Sequence, residues 1–210
     1  MVSRPDREWE IDERLALRGP TVVLRPPRED DAQAVCEAVR ESVAEVGAWL
    51  AWCHPAYDRD DALAWVQGSR GARARGEECA FVITDAWDGA VLGGCGLNQV
   101  DASSRRANLG YWVRSTATGR GVATQAAGLA AEFGLGVLGL ARLEIVAATG
   151  NRASQRVAEK LGAVREGVLR ARFWIAGEPV DGVLYSLVPG DLERAGRRWL
   201  AHPDGPRGPR

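Results

Sequence analysis

The residues Gly119, Arg120, Gly121, Val122, Ala123 and Thr124 stand where the periodicity of a strand gives way to that of a helix, and this junction constrains the fold more than any other stretch. Upstream, Ala107, Leu109, Tyr111 and Val113 alternate with Arg106, Asn108, Gly110 and Trp112, the two-residue period of a half-buried strand. Downstream, Val122, Ala126, Leu129, Ala130, Phe133 and Val137 recur at helical spacing. A glycine turn that opens a helix leaves the first-turn N–H groups without partners at the positive end of the helix dipole. Phosphate is the usual occupant of such a place. The same glycines also suit a plain tight loop, so the turn alone leaves both readings open.

The 210 residues fit one domain with extensions at each end. The expected division is an extension over 1–20, a domain over 21–190, and a C-terminal extension over 191–210 whose Pro/Gly/Arg end, 203–210, is too polar to order itself. Apolar residues make up 46% and charged residues 26%, and the net charge is -1, so nothing draws the whole chain to nucleic acid or anionic lipid. No apolar run suggests a membrane span or a signal peptide. Cys36, Cys53, Cys79 and Cys95 form no C-x-x-C pair and read as reduced core thiols of a cytoplasmic protein, with no metal site.

The chain predicts a strand over 21–25 halted at Pro26-Pro27, then a helix from Asp30 or Asp31 to Val46, and a second helix over 60–74. Strands over 79–84, 91–97 and 106–113 follow with short polar connections, as in an antiparallel meander. After the long helix come a strand over 142–147, a helix capped by Asn151 and ended by Gly162, and strands over 165–170 and 183–187. The order β-αα-βββ-α-β-α-ββ implies an α/β (α+β) domain with a mixed, mostly antiparallel sheet of about seven strands and helices on both faces.

That order, the Gly-x-Gly-x-Ala turn, the run from Asn151 to Ala163 beginning Asn-Arg-Ala-Ser, and the segments Leu109-Gly110-Tyr111-Trp112-Val113 and Asp181-Gly182-Val183-Leu184-Tyr185 together resemble the GNAT superfamily of acetyl-CoA-dependent N-acetyltransferases, in particular its RimJ/RimL branch. The resemblance implies that acetyl-CoA is the co-substrate and a primary amine the acceptor, a protein N-terminus first and a small amine second. It places the coenzyme pyrophosphate on the amides of Gly119, Arg120, Gly121, Val122, Ala123 and Thr124, and the pantetheine arm along Tyr111, Trp112 and Val113. Asn151 would lie near the coenzyme and the Ser154 hydroxyl would hydrogen-bond the departing thiolate. An N-cap worth about 1 kcal/mol is the other reading of Asn151, and a small first-turn residue that of Ser154. A monomer or homodimer is expected. A non-catalytic acyl-CoA-binding module is the alternative of a different class.

The sequence departs from its relatives at the general base. Many carry a glutamate where this chain has Asn108, which cannot accept a proton at neutral pH. A lysine amine (pKa ~10.4) is harder to deprotonate than an α-amine (~7.8), by ~3.5 kcal/mol at neutral pH. An enzyme without a strong base therefore gets further with an N-terminal amine. Asn108, Asp181 and His54 are the candidates for organising a water that takes the proton. Trp49, Trp52, Trp65 and Trp174 are candidates for the acceptor groove, the segment from Trp49 to His54 first among them, although ordinary packing explains each tryptophan singly.

Overall fold

The computed structural model of the chain describes residues 12, 14–196 and 199. Most of the expected N-terminal extension and the expected disordered end lie outside the described residues. Eight strands form one sheet in the order β1-β2-β3-β4-β5-β6-β8-β7. They are β1 (Leu17–Arg18), β2 (Val22–Arg25), β3 (Cys79–Asp85), β4 (Val91–Asp101), β5 (Arg106–Val113), β6 (Arg142–Ala148), β7 (Val164–Ile175) and β8 (Glu178–Leu187). The expected mixed sheet is thus present, with one more strand because Leu17 and Arg18 pair with Leu24 and Val23.

Side-chain alternation assigns the two faces. Phe81, Ile83, Cys95, Leu97 and Leu109 point into a core closed by α4 (Val122–Glu132) and α5 (Arg152–Lys160). Val82 and Val91 meet a smaller core under α1 (Ala32–Glu41) and α3 (Arg59–Ala74). On that second face β4 and β5 present Gly94, Gly96 and Gly110, a glycine floor over which the Trp112 indole lies at Gly94.

Several boundaries differ from expectation for identifiable reasons. The single helix expected to end at Val46 breaks at Ser42 into α1 and a short α2 (Val43–Val46). The Ser42 hydroxyl donates to the Ala38 carbonyl at 2.6 Å and accepts from the Ser115 amide at 3.1 Å, a tertiary tie that periodicity does not reveal. The long helix loosens into a π turn (Phe133–Val137) at its two glycines, which leaves Val137 exposed rather than on the buried stripe. β7 and β8 run well past the expected 165–170 and 183–187, and their outer halves pair around a register shift between Leu169 and Phe173. All four cysteines are buried and free, as expected. A final short helix, α6 (Asp191–Arg194), follows β8.

Candidate active site

β5 and β6 are the only parallel neighbours among the described strands, and they pair only over Arg106, Ala107 and Asn108 against Arg142, Leu143 and Glu144. Beyond Asn108 they part, so the backbone edge of β5 from Leu109 to Val113 faces a gap without a strand partner. A cavity of about 730 Å³ runs through this opening. Thr118 and Ala123 line it at the start of α4, and Tyr111, Trp112, Val113, Asn151 and Ser154 line its middle. Trp49, Trp52, His54, Asn108 and the glycine floor line it under α1 and α3.

The turn before α4 has the geometry the sequence suggests. Gly119 and Gly121 have φ of +74° and +79°, a region that side chains beyond glycine rarely enter. Thr118 to Gly121 are exposed. None of the N–H groups of residues 119–124 has a partner among the described residues; the first that does is Gln125, which donates to the Gly121 carbonyl at 3.0 Å. Six successive amides beside one end of the cavity are therefore without a partner among the described residues. Gly119, Arg120, Gly121, Val122 and Thr124 do not themselves line the cavity, and Arg120 reaches Asp85 at 3.6 Å on the outside.

Across the gap, the Asn151 side chain accepts from the Ser154 amide at 3.0 Å, so Asn151 is an N-cap and also a wall of the cavity. The Tyr111 hydroxyl lies 3.1 Å from both the Ser154 carbonyl and its hydroxyl. Burial raises the Tyr111 pKa, so the phenol stays protonated and can donate.

On the other side of the sheet, Trp52 packs edge-on against Trp112 with ring centroids 5.6 Å apart, and His54 lies against Tyr57 at 6.1 Å. Asn108 Nδ2 donates to Asn98 Oδ1 at 2.9 Å. A Cβ at Gly110 would meet both amide nitrogens, at 3.5 and 3.7 Å, so the asparagine pair crowds the floor with donors rather than bases. Asp181 stands apart from the cavity; its carboxylate accepts from the Ala171 amide at 2.8 Å and ties the bend of β7 to β8. From within β8 it clamps the bend of β7, and it is not a wall of the acceptor space.

Sequence reading passed over Glu78, Asn98, Arg172 and Phe173, all on the cavity wall. The available signal was the alternation Glu78, Ala80, Val82, which sets Glu78 on the glycine-floored face. No group of metal-ligating residues occurs among the described residues.

Residues 21–164 match the family model described as Acetyltransferase (GNAT) domain. The chain belongs to the GNAT acetyltransferases. It is 28% identical over 176 residues to the Bacillus subtilis (strain 168) protein named "Putative ribosomal N-acetyltransferase YdaF", which covers 82% of this chain and 93% of that one. Mycobacterium smegmatis RimJ, solved in complex with CoA-disulfide, superposes with a TM-score of 0.77 at 26% identity, covering 87% of this chain and 93% of that one. RimL, the ribosomal L7/L12 alpha-N-protein acetyltransferase solved with coenzyme A, has a TM-score of 0.77 at 20% identity over 83% of this chain and 98% of that one, a likeness of fold. This GNAT chain is accordingly an acyltransferase whose solved neighbours include RimJ and RimL, and no helix among the described residues is long and apolar enough to cross a membrane.

Proposed function

We propose that this GNAT protein uses acetyl-CoA to acetylate a primary amine, with a protein or peptide N-terminal α-amine as the preferred acceptor. The observation that carries the reading is the cavity that runs from the start of α4, where Thr118 and Ala123 line it, through the β5–β6 gap, to the aromatic chamber under α1 and α3. The residues fit the coenzyme. Outward amides at a helix start suit a pyrophosphate, and the free edge of β5 suits the amides of a pantetheine arm. When bound, the coenzyme supplies an acyl group on a thiol leaving group.

The chain's own groups then have separate tasks. Backbone N–H groups along the open edge of β5 are placed to hold the thioester carbonyl oxygen, the kind of contact that lowers the barrier most. Ser154, held by Tyr111, offers a proton to departing sulfur; a thiol with a pKa of about 8.5 needs little more. Trp49, Trp52 and His54 wall the space from which the amine approaches. The likeness to the Bacillus subtilis protein named a putative ribosomal N-acetyltransferase supports a protein acceptor over a small amine.

Calorimetry with acetyl-CoA followed by thiol release across a panel of N-terminal peptides, lysine peptides and small amines tests the reading. Binding with release on N-terminal peptides is the expected result. Turnover confined to small amines would overturn the acceptor class, and no binding of any acyl-CoA would overturn the whole.

A further inference from the structure

If Asn108 cannot take a proton, the acceptor nitrogen needs another base, and the cavity wall itself narrows the choice. The titratable residues on it are Glu45, His54, Tyr57, Asp61, Glu78, Cys95, Tyr111 and Arg172, and burial raises the Cys95 thiol so that it keeps its proton. Glu45 is held by the Ser115 hydroxyl at 2.6 Å, and Asp61 accepts from the Asp58 amide at 3.0 Å as half of the α3 capping box. Tyr57, pushed up to about 12 by burial, and Tyr111 stay protonated. Arg172 is a cation at any working pH. His54 is exposed and packs edge-on against Tyr57. Glu78 is half-buried, and its carboxylate makes no hydrogen bond or ion pair among the described residues.

Register puts Glu78 in the right row. Cys79, the first residue of β3, pairs with Leu97, and Asn98 pairs with Asn108, so Glu78, one residue before β3, continues that row beside Asn98 and Asn108, and all three line the cavity. With strands about 4.8 Å apart, Glu78 begins two strand spacings from Asn108, a span that its side chain and one water bridge. Burial alone lifts its proton affinity; no cation among its neighbours opposes that. Cys79, the next residue, turns to the opposite face, and Arg75 is paired with Glu77 at 2.8 Å outside the cavity.

We propose that Glu78 is the general base of this acetyltransferase, taking a proton from the acceptor nitrogen through a water held by Asn98 and Asn108. This rests on the acetyl-CoA:amine reading above. An ammonium acceptor gives one proton to solvent as it binds. As the C–N bond forms, nitrogen becomes positive, and its second proton passes through the water to the Glu78 carboxylate. The C–S bond breaks with its electron pair on sulfur, which is protonated by way of the Ser154 hydroxyl. Glu78 and Ser154 are reset by solvent, so the sum is ammonium plus thioester to amide, thiol and one proton.

The test is the variant Glu78→Gln beside Glu78→Asp and the control Glu77→Gln, each assayed with an N-terminal peptide. Glu78→Gln should lower kcat by ~10²-fold, the low end of general-base effects, with acetyl-CoA affinity by calorimetry unchanged. Glu78→Asp should recover part of the loss, and Glu77→Gln should behave as wild type. In the wild-type pH profile, log kcat/KM should steepen from slope 1 to slope 2 below the Glu78 pKa; in Glu78→Gln it should stay at slope 1. An active enzyme whose Glu78→Gln variant keeps its kcat and its second slope would overturn Glu78 while leaving the acetyl transfer standing. A wild type that turns over no amine would overturn both.

Discussion

The hydroxyl of Tyr111 on β5 sits 3.1 Å from the hydroxyl of Ser154 in the first turn of α5, spanning the gap where the sheet opens. A second contact of 3.1 Å to the Ser154 carbonyl fixes the helix start against the strand. The pair therefore sets one hydroxyl on the cavity wall, where the proposed reaction releases sulfur. Tyr111→Phe should lower kcat by about tenfold with little change in acetyl-CoA affinity, and cost ~1 kcal/mol of stability for the lost hydrogen bonds. The effects of Tyr111→Phe and Ser154→Ala on kcat should not add, because both remove one unit. Fully additive losses in the double variant would mean that the two hydroxyls act apart.

Gly121 has φ of +79° and open space around its Cα, so a side chain there is opposed by backbone strain and not by a clash. A left-handed conformation costs an ordinary residue ~1–2 kcal/mol, and relaxing it swings the outward amides. Gly121→Val should weaken acetyl-CoA binding by tenfold or more while the melting temperature falls by only a few degrees. Calorimetry beside a thermal melt reads both, and an unchanged affinity would remove the cradle from the binding site.

Glu41 at the end of α1 accepts from Arg114 and from the Thr116 amide at 2.8 Å, tying the helix to the loop that leads into the cradle. The Arg114 guanidinium, with help from Thr116, holds the Glu41 carboxyl down to about 2 from 4.5. A depressed folded-state pKa means that the stabilisation is complete above the unfolded value and is lost as pH falls from about 4.5 through about 2. Both side chains are a quarter exposed, so solvent screening limits the contribution to ~1 kcal/mol. Glu41→Gln should therefore destabilise the protein at pH 7 and lose that deficit as acid is added, as followed by denaturant titration across the range.

Trp52 leans on Trp112 at the rim of the acceptor side and is 41% exposed. Trp52→Ala should raise KM for a peptide acceptor several-fold and leave acetyl-CoA affinity alone. Steady-state kinetics with each substrate varied in turn distinguishes this from a loss of coenzyme.

An N-terminal peptide should outpace a matched lysine peptide at neutral pH, since the lysine amine begins ~3.5 kcal/mol further from its free base. The ratio of kcat/KM for the two peptides should fall as pH rises towards 10. A lysine peptide acetylated faster at pH 7 would contradict the preference.

By itself the sequence determined what depends on neighbours along the chain. It marked the strand of residues 106–113, the glycine turn before α4, the Asn151 cap and the left-handed stop at Gly162, because each is written in spacing and in local backbone preference. The tertiary structure alone decided which distant residues share one space. Strand order and register brought Glu78 into the row of Asn98 and Asn108, the parting of β5 from β6 set Tyr111 against Ser154, and Asp181 was spent on the bend at Ala171. Period tells which face a side chain takes, but residues far apart in the chain meet only when pairing and sheet twist carry those faces together.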